Sequence, residues 1–438
     1  MSKIANPVKN LKDIPELKLV NLYNEKELLL YTQTENGKQY CDGKSDWVNN
    51  DDEFYKSACD FKGKYTLSRC ECCNKNKDFH KNIMECHKDL THIADTLKKE
   101  TLGKVNLYVT GSLKHTAFKL LFELLQKKKN VDLMMPQFVN NVREYQWLNA
   151  CNTGALINSE DKFEGEIEAF DINSSYAFEM KSETDFPICE GTFVKLDYIA
   201  ETPLYGVYKA KILSVVNKYM FRVNKNNFYT HIDLKRAKEL NYEIELIQDG
   251  HENFLRYTNK ERKRAKTLFG DYIDYMYTIR KKYKGKDKVF ETYIKLLISS
   301  LWGQIVETKK FRVREDEEGN SPNYTERQGD TLLKSTILYN GGFEHEYINI
   351  NDPYKTRFAR IKVFLLAQAR SRISTLIEDN IHNVVRIQTD GFFVKPSDKK
   401  YEIGSELGQL KLEYKGKVII HNVNKITYSA TIIANNNI

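Results

Sequence analysis

Residues 295–303 read KLLISSLWG, and what this run becomes decides how the rest of the chain is arranged. Lys295, Ser299, Trp302 and Gly303 recur at offsets of three and four, which a helix gathers on one face. That face carries one cationic head, small hydroxyls and one large ring, a surface suited to a triphosphate and its base. Two flanking stretches set what the helix serves. Upstream, Phe170, Asp171 and Ile172 read as a strand running into Asn173, Ser174, Ser175 and Tyr176. Downstream, VVRIQ (384–388) meets Thr389, Asp390 and Gly391 and resumes as FFV. Apolar runs broken by Asp-Gly predict a hairpin with an acid in its turn. Two carboxylates on adjacent strands suit a pair of divalent cations.

A chain of 438 residues is long enough for two or three domains. A hydrophobic fraction of 41% with 12% aromatics indicates folded protein and argues against disorder. The formal charge of +8 permits a polyanionic partner without requiring one. The N-terminal MSKIANPVKN lacks an apolar core and no run of 18 apolar residues occurs, so the expectation is a soluble intracellular protein without membrane contact.

Five of the eight cysteines fall between positions 59 and 86, which favours a local metal site over staples of a secreted chain. Cys70 and Cys73 form a C-x2-C knuckle, and His87 and His92 have H-x4-H spacing on a helix. Together they predict a structural Zn²⁺ site of the Cys2His2 kind, with Phe79 and Ile83 as its small core. Cys59, Cys72, His80 and Cys86 are rival ligands.

Elsewhere the pattern is interleaved. Residues 1–60 are polar with short apolar segments, and Asp51 and Glu53 sit in a polar loop that reads as a solvated turn. NLYVTGSLKHTAFKLLFELL (106–125) predicts a strand, a glycine turn and an amphipathic helix, with His115 and Thr116 as helical surface positions. Residues 130–158 read as a linker with strand tendency. GTFVKLDY, GVYKAKI and YMFRVN alternate as short strands, 232–241 as a helix and 244–246 as a return to the sheet. Residues 254–295 form a basic helical pair with interleaved tyrosines, of which Arg280 and Lys295 are the candidates for phosphate contact. Residues 304–350, acidic in the middle, read as an inserted loop or hairpin. Residues 356–378 predict a long helix packed under the sheet.

Three ordered segments, DINSSYAFEM, KLLISSLWG and IQTDGFF, resemble the palm and fingers motifs of family B DNA polymerases, particularly the protein-primed group of viruses, phages and linear plasmids. GVYKAKI, FARIKVFLLAQARSRI, LGQLKLEY and NKITY resemble supporting segments, so the likeness covers about residues 140–430. It implies an α+β fold, a polymerase palm with an antiparallel sheet and helical fingers, preceded by a small α/β region carrying the zinc insertion. The implied divisions are 1–139 N-terminal region, with the zinc site at about 65–93, 140–255 first part of the palm, 256–303 fingers, 304–350 insertion and 351–438 second part of the palm.

The activity implied is transfer of dNMPs to a 3′ hydroxyl using two Mg²⁺ ions, or Mn²⁺. Asp171 and Asp390 are the metal ligands, with Lys295 as the cation on the triphosphate. Ile172, through its carbonyl, Tyr176, Arg280, Ser299, Trp302 and Gly303 form the nucleotide pocket. Thr389, Lys425 and Tyr428 face the primer–template. Primer–template DNA and dNTPs are the partners, with a priming or processivity protein as an additional one.

The chain departs from the family pattern at several positions. The Asp-Thr-Asp-Ser motif stands here as Gln388, Thr389, Asp390 and Gly391, the fingers Asn is Ser299, and the Pro after the first-motif Tyr is Ala177. Trp302 occupies the place of a Tyr. The Lys-x-Tyr motif is one residue longer here, from Lys425 to Tyr428. Asp51 and Glu53 match the exonuclease Asp-x-Glu letters in an unconvincing setting, and few residues follow NKITY for a thumb. The expectation is a polymerase without 3′→5′ exonuclease or full thumb, the alternative a catalytically weak scaffold of a viral replication complex.

Overall fold

Six antiparallel strands frame both acids, Asp171 within a strand and Asp390 in a turn, in the computed structural model: β1 (Ile157–Ser159), β2 (Phe163–Ile172), β3 (Val384–Gln388), β4 (Gly391–Val394), β5 (Leu410–Asn422) and β6 (Lys425–Tyr428), in the order β6-β5-β2-β4-β3-β1. The structure describes residues 79–128, 135–315, 321, 324–338 and 342–429, with four short strands between residues 20 and 48. Asp51, Glu53, Cys70 and Cys73 lie outside these residues. The chain divides into two units, Met1–Lys128 with Asp274–Gln304, and Lys129–Ile273 with Ile305–Ile438.

In the first unit, strands Val20–Tyr23, Leu29–Thr34, Gly37–Cys41 and Trp47–Val48 pair antiparallel in sequence order, where the sequence specified little. Phe79–Glu100 is one helix of 22 residues. Leu90, Ile93, Ala94 and Leu97 are buried at helical spacing, so a single apolar stripe anchors it. Its end is tied to the Ala265–Tyr283 helix by Glu100, which accepts from Lys282 Nζ at 2.7 Å and Tyr283 Oη at 2.8 Å. This geometry corrects the zinc expectation, for no zinc-binding insertion is evident among the described residues. His87 belongs to the long helix, and exposed His92 has its Nε2 2.5 Å from the Asp287 carboxylate. Asn106 caps a helical turn, Leu107–Thr110, where a strand was expected, because its side chain accepts from the Tyr108 amide at 3.0 Å.

In the second unit the central sheet is covered on one face by the Ile361–Ile377 helix. Phe170, Ile172, Ile387, Phe392 and Val394 pack there against Ile373 and Ile377. Ile167, Ala169, Val385, Phe393 and Val418 form a second cluster. Side chains alternate along a strand, so Asp171, between Phe170 and Ile172, points with Ala169 away from that helix. Val142–Ala150 is a helix where a linker was expected. Asn141 caps it by accepting from the Arg143 and Glu144 amides, while Tyr145, Trp147 and Leu148 are buried. A five-stranded sheet contains Thr192–Val194, Gly206–Leu213, Phe228–Thr230, Glu243–Leu246 and Phe254–Arg256. YMFRVN is irregular instead of a strand, its Met220 and Phe221 filling the cores beside it. Residues 304–350 supply three antiparallel strands, Lys310–Glu315, Asp330–Ile337 and Phe343–Asn349.

His231 begins the His231–Glu239 helix and packs against Tyr205, with ring centroids 4.0 Å apart and planes tilted by 37°. Burial pushes its imidazole down to about 4, and Nδ1 accepts from the Gly206 amide. Between pH 4 and 6.5 the unfolded chain therefore binds the proton that the folded chain refuses. Stability is held above pH 6.5 and lost as pH falls toward 4, by about 3 kcal/mol at most. Urea unfolding at stepped pH should show this loss and His231→Phe should flatten it; equal slopes in both proteins would refute the assignment.

Candidate active site

Asp171 is the next-to-last residue of β2, and Asp390 lies in the turn between β3 and β4. Gly391 pairs directly with Asp171 across β4 and β2, and the Ile172 amide donates to the Asp390 carbonyl at 3.0 Å. A Cβ built on Gly391 would lie 3.3 Å from Asp171 Oδ1 and 3.1 Å from the Phe170 carbonyl. The missing side chain leaves that carboxylate approachable. Two hard oxygen donors at adjacent turns fit a divalent cation that keeps waters and substrate oxygens. No group of three or more His, Cys, Asp or Glu suited to a metal occurs among the described residues.

Each acid has a left-handed residue close by. Thr389, one residue before Asp390, has φ 63°, and Ser174, three after Asp171, has φ 52° and ψ 51°. A β-branched residue at positive φ is a genuine outlier, and such strain persists only where the surroundings over-determine it. Those surroundings are present. Thr389 donates its amide to the Leu156 carbonyl at 2.9 Å. The Asn173 amide donates to the Gln409 carbonyl, its side chain to the Gly404 carbonyl, and the Gly408 amide to the Asn173 carbonyl, each at 2.9 Å. The segment 404–409 thus clamps the first acid's loop. Sequence reading noted LGQLKLEY without this role, and no residue type announces the strain.

Tyr176, on the short Ser175–Met180 helix, is half-buried. Burial, and then the negative charge of Asp390, push its phenol up to about 12, with Arg370 opposing. Its hydroxyl keeps its proton throughout the ordinary assay range. Arg370 is fixed from behind, donating to Asp233 Oδ1 at 2.7 Å and to the Gly154 carbonyl at 2.5 Å. Asp233 also closes a capping box with Thr230. Glu179 on the same short helix pairs with Arg372, which lies 4.0 Å over the Phe178 ring, and burial holds its carboxyl above the usual range.

Gln388 accepts from Arg386, a mostly buried guanidinium that also donates to the Val423 carbonyl and covers the Phe393 ring at 4.9 Å. Lys425 and Tyr428 lie exposed on the edge strand β6, Tyr428 packed 4.9 Å from the Tyr414 ring.

In the other unit, Lys288–Ile305 is a helix as expected. Lys295 and Ser299 are exposed, Trp302 and Gly303 half-buried, and Ile294, Leu297, Ile298 and Leu301 are buried on the opposite side. Arg280 lies over the Tyr277 ring at 5.7 Å, with its Nε 3.9 Å from Glu291. The nucleotide residues of this unit share a helical hairpin; the carboxylates belong to the other.

A family model for DNA polymerase type B, organellar and viral, matches residues 31–383. A probable DNA polymerase of Neurospora intermedia is 24% identical over 377 residues, covering 78% of this chain and 37% of the relative. One of Podospora anserina is 24% identical over 376 residues, covering 75% and 29%. The chain thus spans about a third of the length of these curated relatives. Among solved structures, Phi29 DNA polymerase with primer-template DNA and incoming nucleotides is 13% identical with a TM-score of 0.55, covering 93% of this chain and 73% of that one. The same enzyme with single-stranded DNA gives 14% and 0.55 over 93% and 72%. At that identity the likeness is one of fold: a mixed α/β architecture with antiparallel sheet and helices resembling a polymerase palm and fingers.

Proposed function

The chain belongs to the organellar and viral type B DNA polymerases, and on that ground we propose that it is a DNA-directed DNA polymerase. The reaction joins a primer 3′ oxygen to the α-phosphorus of a dNTP, breaks the α–β phosphoanhydride bond and releases pyrophosphate. The observation that carries the reading is the pairing of Gly391 with Asp171, which sets the Asp390 turn beside the first acid. Asp171 and Asp390 would hold two Mg²⁺ ions. Bound there, such ions supply activation of the 3′ hydroxyl and stabilisation of the leaving pyrophosphate.

Lys295 neutralises triphosphate charge and Arg280 adds to it. Trp302 stacks on the nascent pair beside Ser299 and Gly303, and the Ile172 carbonyl completes the nucleotide site. Thr389, Lys425 and Tyr428 hold the primer–template. No 3′→5′ exonuclease is assigned, since Asp51 and Glu53 sit in a polar run. The insertion at 304–350 grips template or a priming protein.

Tyr176 lies under the incoming sugar in this reading, so that its ring excludes a 2′ hydroxyl. Tyr176→Val should raise the rNTP-to-dNTP ratio of kcat/KM by roughly tenfold to a hundredfold, the worth of relieving one steric clash. An unchanged ratio would remove Tyr176 from sugar selection.

The reading is tested by extension of a primed template with dNTPs and Mg²⁺. Gln388 held by Arg386, where the family has an acid, favours one second reading, a scaffold that binds DNA without catalysis. Primer–template binding with no incorporation would select it.

A further inference from the structure

We propose that Lys114 contacts a template-strand phosphate next to the nascent pair, as a second cation on the exposed face of the Lys288–Ile305 helix. The inference rests on the polymerase reading for the identity of the strand, and on geometry within one unit for the contact. Lys114 is the second residue of the Leu113–Leu125 helix, whose Ser112 cap accepts from the His115 amide. Its Cε lies 3.7 Å and its Nζ 4.0 Å from the point where a Cβ on Gly303 would stand. No other side chain beyond the chain neighbours of Gly303 comes within 4 Å of that point among the described residues.

Two features mark this lysine. It occupies the first turn of a helix with no acid there, where the positive end of the helix dipole opposes a cation. It is also exposed and, like Lys295, has no carboxylate partner among the described residues. Some cations of the same unit are paired, Lys282 with Glu100 and Arg280 with Glu291, whereas Lys119 and Lys127 resemble Lys114 in having no ion pair among the described residues; what sets Lys114 apart is its place beside Gly303. A cation in that first turn breaks a local rule without an internal compensation, and such departures are expected at functional sites.

The helix itself sorts the two lysines. Lys295 and Gly303 are eight residues apart, about 12 Å along the axis. With Trp302 against the base and Lys295 on the triphosphate, Lys114 stands at the base end, beyond the reach of the same triphosphate. The anion there is the opposite strand. A fingers cation supplied from the N-terminal region is something the motif helix alone does not reveal.

The test measures binding of a fluorescein-labelled primer–template to the full chain by anisotropy between about 50 and about 200 mM salt. Lys114→Met should lower the slope of log K against log salt by about one, so that the affinity ratio between those salts narrows about 3.5-fold. Lys114→Arg should restore the slope, and KM for dNTP should stay at the wild-type value while Lys295→Met raises it. An unchanged slope in folded Lys114→Met, or a dNTP KM raised as far as by Lys295→Met, overturns the inference. The slope is read without catalysis, so a wild-type chain that binds and never incorporates fails the polymerase reading while the slope still decides Lys114.

Discussion

Asp390→Asn is expected to lower Mg²⁺-dependent single-nucleotide incorporation by about a thousandfold or more, some 4 kcal/mol of barrier, and Asp171→Asn by a similar factor. Asn matches the acid in shape and cannot supply an anionic oxygen. The bond between Ile172 and Asp390 is made by main-chain atoms, so the substitution leaves it in place. The effect is therefore on charge, with primer–template affinity largely kept. Two ligands of one cluster act as a unit, so the double variant should lose little beyond either single one. Extension of a labelled primer gives the rates. Loss of less than tenfold in both single variants would take the acids out of the chemistry, whatever the fold resembles.

What could be read from sequence followed from period and punctuation. Val384 to Val394 was legible as a hairpin because two apolar runs flank Asp-Gly, and the structure pairs Gln388 with Gly391 there. Lys295 and Ser299 were legible as an exposed face because Ile294, Leu297, Ile298 and Leu301 recur around them at helical spacing. Asn141 was a missed signal: an N-cap residue before VREYQWL announces the helix that was read as linker. His87 and His92 misled, because H-x4-H marks a helix face before it marks a metal, and the apolar stripe through Leu90 to Leu97 explained the helix already. Thr389, Ser174 and Lys114 were out of reach. Their significance lies in backbone torsion or in an approach between residues nearly two hundred positions apart, neither of which leaves a local pattern.

Glu144 poses the largest stability question, and its answer is expected to be a loss of 3–5 kcal/mol, roughly, on Glu144→Leu. The side chains of Glu144 and Arg360 are 0% and 1% exposed, and the pair is bidentate, Nε to Oε1 at 2.9 Å and Nη2 to Oε2 at 2.7 Å. Tyr257 Oη and the Gly191 amide also donate to Oε1, while Arg360 donates to the Gln137 and Phe138 carbonyls. Four segments are thereby joined at one point under the second unit. Removing the carboxylate strands a guanidinium that cannot lose its proton, and that desolvated charge is the source of the cost. Replacing both partners, Glu144→Leu with Arg360→Met, should recover part of the loss, because the stranded charge is gone while the Tyr257 hydroxyl, the Gly191 amide and the Gln137 and Phe138 carbonyls lose these partners. Urea unfolding followed through buried Trp147, with Trp47 and Trp302 as Phe, reads this unit. A single-variant loss under about 1 kcal/mol would mean that water reaches Arg360 and that the pair is no anchor.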